Sequence, residues 1–355
     1  MSKNIVVFSD GTRQEGGIGN NSNVYKLFNM IEDRTDRQVA YYDRGLGMGW
    51  RKATGSAFGA GISRNIRDCY EFIFNEYNAG DQIYLFGFSR GATTMRSLSN
   101  FIDLFGILPR SRPELIGRAY KIYRRRRKRK ERADAFVNRH HTMWAKVKFL
   151  GVWDTVAALG IPIKSVDLLV NAVPFWRHKF QDLTLSESVE HARHALSIDD
   201  ERLTFHPTLW KKELKSYQTM KQVWFRGVHT DVGGGYKDQK LSDIALTWMV
   251  SEALDHDLLL YPHNTVDVKP DHNGKIHDSR SGVPGMFFRR KVRGWDSASL
   301  GKPIVHQSVL LRDADEKENG NSSDRPWVLG HKYEEEPWPV AMRNPGRISG
   351  KTTEL

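Results

Sequence analysis

Cysteine is nearly missing from this sequence. Cys69 stands alone among 355 residues, so no disulfide can form within the chain, and the composition suits a reducing compartment. Cys69 falls in a helical apolar pattern with Ile66, Tyr70 and Ile73 and reads as a packing residue. No Cys/His spacing resembles a structural zinc site, and no metal is expected. Long apolar runs are missing too. No stretch approaches the roughly 18 uncharged apolar residues of a membrane span. The apolar start, Ile5-Val6-Val7-Phe8, is too short for the core of a signal peptide. No fixed period repeats along the chain, which excludes solenoids and propellers. A soluble protein, cytoplasmic as synthesised, is expected.

What is present fits one large α/β domain with an elaborated lobe. Apolar residues make up 39% and aromatics 11%, enough to fill a sizeable core. The formal net charge is +12, and much of the excess sits in one run from Arg124 to Lys130. Short apolar runs predict buried strands at Ile5–Phe8, Val39–Tyr42, Gln82–Phe86, Phe149–Trp153 and Gln222–Gly227. Helical spacing is expected over 24–31, 62–77, 92–105 and 242–254, with one long basic helix over about 112–141. Strands alternating with helices predict a mostly parallel sheet covered on both faces, whose ligands bind beyond the carboxyl ends of the strands. Asp10, Ser89, Asp154 and His229 all stand at such ends.

Gly87-Phe88-Ser89-Arg90-Gly91 carries the strongest chemical signal. Glycines two before and two after a serine let a strand turn sharply into a helix and expose the hydroxyl at the helix start. A serine needs a general base to attack, and the base needs an orienting acid. Asp154 and His229 supply these in the order Ser, Asp, His that α/β-hydrolases use. Asp231 competes as the acid or buttresses the glycine turn that follows it. His306, after Ile304 and Val305, is the alternative base. The backbone amides of Gly11, Thr12 and Arg90 are the candidate oxyanion hole. Asp10 holds that loop in shape or binds a metal.

The run Arg124–Lys130 reads as a solvated helix face or as a contact for an anionic membrane, where each clustered cation contributes about 1 kcal/mol. Aromatic interleaving is sparse there, which disfavours nucleic acid.

Several segments together resemble one family. They are Phe8-Ser9-Asp10-Gly11-Thr12, Tyr84 to Ala92, Gly151-Val152-Trp153-Asp154-Thr155-Val156, His194 to Asp199, and Val223 to Tyr236. In this order they resemble the catalytic domain of the type VI secretion phospholipase effectors. The resemblance covers most of about residues 3–310. It implies an α/β-hydrolase fold, phospholipase A activity, and a triad that falls on Ser89, Asp154 and His229. Signal-less export as an effector goes with it.

The expectation is therefore an α/β-hydrolase-like catalytic domain over 1–310. It includes a basic helical insertion at about 110–145 and a variable lobe at about 160–218, and a polar C-terminal extension follows over 311–355. Its substrate is a lipid carboxylic ester, hydrolysed through an acyl-enzyme without a cofactor. Two alternatives stay open: a small-ester or sugar-ester hydrolase with the same triad, and a non-catalytic membrane or nucleic-acid binding module on the same fold. The sequence leaves the oligomeric state open.

Overall fold

A strand with apolar residues on both sides needs cover on both faces, and the first strand sets this pattern. In β1 (Asn4–Ser9), Ile5 and Val7 join one buried cluster while Val6 and Phe8 join another. The computed structural model describes residues 2–11, 16–17, 19–31, 33–45, 55–125, 127–156, 184–281, 288–320, 326–343, 345–346 and 348, with the backbone alone for 55–60. The strands that follow are β2 (Gln38–Asp43), β3 (Gln82–Phe88), β4 (Val147–Trp153), β5 (Val189–Ser197), β6 (Thr219–Phe225), β7 (Ile304–His306) and β8 (Glu334–Glu336). They form one sheet in the order β2-β1-β3-β4-β5-β6-β7-β8, and each of these pairings is parallel.

Helices α2 (Gly55–Glu76), α3 (Arg90–Phe105), α4 (Glu114–Tyr123) and α5 (Arg129–His140) cover one face. Helices α1 (Asn23–Met30) and α7 (Lys240–Leu254) cover the other, while the five-residue α6 (His229–Gly233) lies just past β6. A one-turn α8 (Ser297–Leu300) and α9 (Gln307–Glu318) flank β7. The molecule is thus an α/β fold with helices on both faces of a parallel sheet, the α/β-hydrolase-like class.

Three expectations change. The basic stretch is two helices, because Lys128 takes a left-handed conformation at φ 57° and ends the continuity after Tyr123. Crowded like charges at helical neighbour spacing disfavour one uninterrupted helix there. Within the stretch assigned to a variable lobe, 189–197 form the central strand β5; 157–183 lie outside the described residues. Beyond 310 the chain is not only a polar extension. It supplies edge strand β8, and Val328, Leu329, Trp338 and Ile348 are buried in the apolar clusters. The charged sequence of β8 suits an exposed edge.

Candidate active site

Two glycines let β3 turn directly into α3. A Cβ on Gly87 would lie 2.6 Å from the Gly91 carbonyl oxygen, and one on Gly91 would lie 1.9 Å from that of Ser9. No side chain fits at either place, so the helix start can press against the ends of β1 and β3. Ser89, between them, takes φ 58° and ψ −115°. Such a conformation is strained for any residue with a side chain and recurs at functional turns. It sets the hydroxyl at the first turn of α3, where amides and helix dipole favour an anion.

The neighbouring strands end in register with this turn. Phe88 pairs with Trp153, and Trp153 with Ala195, so Ser89 and Asp154 are the next residues along adjacent strands. The Ser89 N–H donates to the Trp153 carbonyl (3.0 Å) and the Asp154 N–H to that of Ala195 (2.8 Å). Asp154 also has a positive φ, 38°. The turn after it is held by the Thr155 N–H donating to His194 Nε2 (3.0 Å). His229 opens α6, one short turn past β6.

These three side chains, far apart in sequence, form one hydrogen-bonded chain. Ser89 Oγ lies 2.9 Å from His229 Nε2, and His229 Nδ1 lies 2.6 Å from Asp154 Oδ2. An ionised carboxylate can only accept, so Nδ1 carries the imidazole proton and Nε2 is left to accept from the serine hydroxyl. Burial lowers the pKa of His229, against the opposing pull of Asp154, which keeps the ring neutral at neutral pH. Burial alone would raise the Asp154 carboxyl, but the Arg293 guanidinium and the His229 hydrogen bond outweigh it and hold Asp154 well below the usual carboxylate range. The rings of Phe88 and Phe205 flank the imidazole at centroid distances of 4.7 and 5.1 Å, and Phe288 packs edge-on to Phe205.

The other expected residues are placed as follows. Asp231 does not face His229. It accepts from the N–H groups of Val228 and His277 (3.0 Å each) and pairs with His277 Nδ1 (2.6 Å), contacts that tie the turn together. His306 is remote from the serine, since β7 stands four strand spacings from β3, about 19 Å at 4.8 Å per strand. It caps α9 instead, with Nδ1 2.8 Å from Ser308 Oγ, between the rings of Phe225 and Trp338.

Asp10 is buried at the end of β1 and accepts from the Gly11 amide (2.7 Å), Tyr42 Oη (2.7 Å) and Ser22 Oγ. These contacts tie the loop, and burial pushes its pKa up to about 6, against those three hydrogen bonds. Gly11 lies against Phe88 and Ser89, and its amide donates to the Asp10 carboxylate. Arg90 is the first residue of α3, in place to present its amide beside Ser89. Thr12 lies outside the described residues. Among the described residues, no group of three or more His, Cys, Asp or Glu is arranged to hold a metal ion.

Sequence reasoning missed the residues that hold Asp154. The Ser197 N–H donates to Asp154 Oδ1 (3.0 Å), and Arg293 grips both carboxylate oxygens at 2.6 and 2.9 Å. The Asp200 carboxylate accepts the His229 N–H (3.1 Å) and pairs with Arg202. Ser197 and Asp200 lie in or beside the His194–Asp199 segment, which did carry a signal. Arg293 lies in a polar, pattern-poor stretch that carries none.

The family model for type VI secretion phospholipase effector Tle1-like catalytic domains matches residues 3–252. The uncharacterized protein YEL023C of Saccharomyces cerevisiae is 30% identical over 222 residues, covering 57% of this chain and 32% of its own length. A crystal structure of an uncharacterized protein from Pseudomonas aeruginosa shares 17% identity and a TM-score of 0.43, covering 73% of this chain and 46% of that one. The Tle1 effector bound to the VgrG spike of the type VI secretion system shares 18% identity and a TM-score of 0.36, covering 67% and 52%. The chain thus spans about a third to a half of the length of these relatives. With well over half of its residues matched by the family model, the chain belongs to the type VI secretion phospholipase effector Tle1-like catalytic domain family.

Proposed function

We propose that this chain is a serine esterase acting on lipid carboxylic esters, of the phospholipase A type. The reading is carried by the hydrogen-bonded series Ser89–His229–Asp154 at the carboxyl ends of three parallel strands. Ser89 Oγ attacks the ester carbonyl while His229 Nε2 takes its proton. Asp154 keeps the imidazole in the tautomer this requires and stabilises the imidazolium. The negative oxygen develops at the first turn of α3, beside the Arg90 amide, where the helix dipole lowers its energy. The alkoxide of the leaving alcohol takes the proton back from His229. Water activated by the same imidazole then hydrolyses the acyl-enzyme.

Family membership supports a lipid substrate, and the aromatic rings around His229 suit an acyl chain. The exposed cations at the α4–α5 junction, Arg124, Arg125, Arg127, Lys128 and Lys130, suit an anionic membrane surface. No helix among the described residues is long and apolar enough to cross a membrane.

The test compares wild type with Ser89→Ala on fluorophosphonate labelling, short-chain esters and micellar phospholipid. The expected result is labelling and hydrolysis by wild type only, with phospholipid preferred above its micellar concentration. Activity retained by a folded Ser89→Ala protein overturns the mechanism. Hydrolysis of short-chain esters alone overturns the lipid assignment.

A further inference from the structure

We propose that Arg293 is a positioning residue for the esterase reaction: through its paired contact with Asp154 it fixes the acid's orientation and restrains the basicity of His229. The inference rests on the Ser-His-Asp reading above and extends it to a residue outside the segment matched by the family model, 3–252.

The side chain of Arg293 is fully buried and so is that of Asp154. A buried guanidinium is tolerated only when its donors are all used. Here they are spread over four residues. Nη1 donates to Asp154 Oδ1 (2.6 Å) and the Ser197 carbonyl (2.8 Å), Nη2 to Asp154 Oδ2 (2.9 Å) and the Phe205 carbonyl (2.6 Å), and Nε to the Asp200 carbonyl (3.0 Å). The planar fork therefore ties the carboxylate to the end of β5 and to the loop that brings Phe205 against the imidazole. A lysine has the charge without the fork.

The electrostatic consequence follows from where the charge lies. In a carboxylate–imidazole–hydroxyl series the carboxylate's field raises the basicity of the base. A bidentate cation on the far side of that carboxylate cancels much of the field. Among the described residues, the other charged groups facing the pair are Asp200, whose carboxylate accepts the His229 N–H, and Arg202, which neutralises Asp200. His194, under the turn after Asp154, is held neutral by burial, and Asp231 on α6 is occupied by His277. Arg293 is the cation bound directly to the acid. Without it, the unscreened Asp154 carboxylate favours the imidazolium, and the acid limb of catalysis moves to higher pH.

The experiment measures kcat and KM from pH 5 to 9 on a short-chain ester for wild type, Arg293→Lys, Arg293→Gln and Ser89→Ala, with thermal melting of each. The expected result for Arg293→Gln is a kcat loss of about 10²-fold, as for a misplaced catalytic group. KM should stay within about twofold, and the acid limb of kcat/KM should move up by about one pH unit. Arg293→Lys should fall between the two and carries the test if the glutamine variant does not fold. Unchanged limbs in folded variants, or losses matched fully by the unfolded fraction, overturn the proposal. An inert wild type would overturn the esterase reading instead. NMR titration of the His229 imidazole then still decides the role of Arg293: the ring should titrate at lower pH in wild type than in Arg293→Gln or Arg293→Lys, and equal titration overturns it.

Discussion

His229 and His306 begin as equivalents. Each follows an apolar strand end in the same parallel sheet, each is buried, and burial lowers the pKa of both, that of His306 to about 3. Their neighbours divide them. The ring of His229 lies between a carboxylate and a hydroxyl, so one nitrogen is held as donor and the other as acceptor. His306 has a serine on one nitrogen and aromatic rings around it, and its Nε2 has no hydrogen-bond partner among the described residues. Both histidines stand at strand ends, and it is the groups across the rim that set them apart.

Breaking the two histidines in turn gives the widest contrast. His229→Ala should cost on the order of 10⁶-fold in kcat on a short-chain ester while the protein still melts cooperatively. His306→Ala should leave kcat within about threefold. That substitution removes a helix cap and a buried ring, so melting should report about 1–3 kcal/mol lost. A His306→Ala enzyme that folds normally and is inactive would reverse the two assignments.

Asp154→Asn is expected next in size, with a kcat loss on the order of 10⁴-fold because the imidazole can flip its tautomer. It should also cost about 3–5 kcal/mol of stability, since Arg293 is left as a buried unpaired cation. Chemical denaturation alongside single-turnover kinetics reads both losses. Stability equal to wild type would mean that water or another group satisfies the guanidinium.

The smallest effect sharpens what the histidines share. His194 and His306 are held neutral, with pKa values of about 3 in the folded chain. The unfolded chain binds protons at these sites from about pH 6.5 downward while the folded chain does not. Their neutral burial therefore adds stability that is present above that value and is lost as pH falls toward 3. Melting temperature should fall over that window, and less steeply in His306→Ala. A parallel slope in the variant would locate the acid sensitivity elsewhere.

Much of the candidate site was legible because strand ends announce themselves. Apolar runs broken by Asp10, Ser89, Asp154 and His229 mark the rim, and the glycine spacing around Ser89 marks the turn. What escaped has physical reasons. Strand β5 buries Arg193 and His194, and the ion pair of Arg193 with Glu252 lets a charged residue occupy a central strand. Strand β8 is three glutamates, paired to β7 and tied at Glu336 to Lys221 and Trp248, which no hydrophobic pattern can report. Arg293 acts through contacts between segments far apart in the chain, and its own stretch holds no periodicity.

The left-handed backbone at Ser89 has one last implication. Alanine there inherits the strain, whereas glycine releases it, a gain of about 1–3 kcal/mol. The most heat-resistant form of this turn is thus one without the serine hydroxyl.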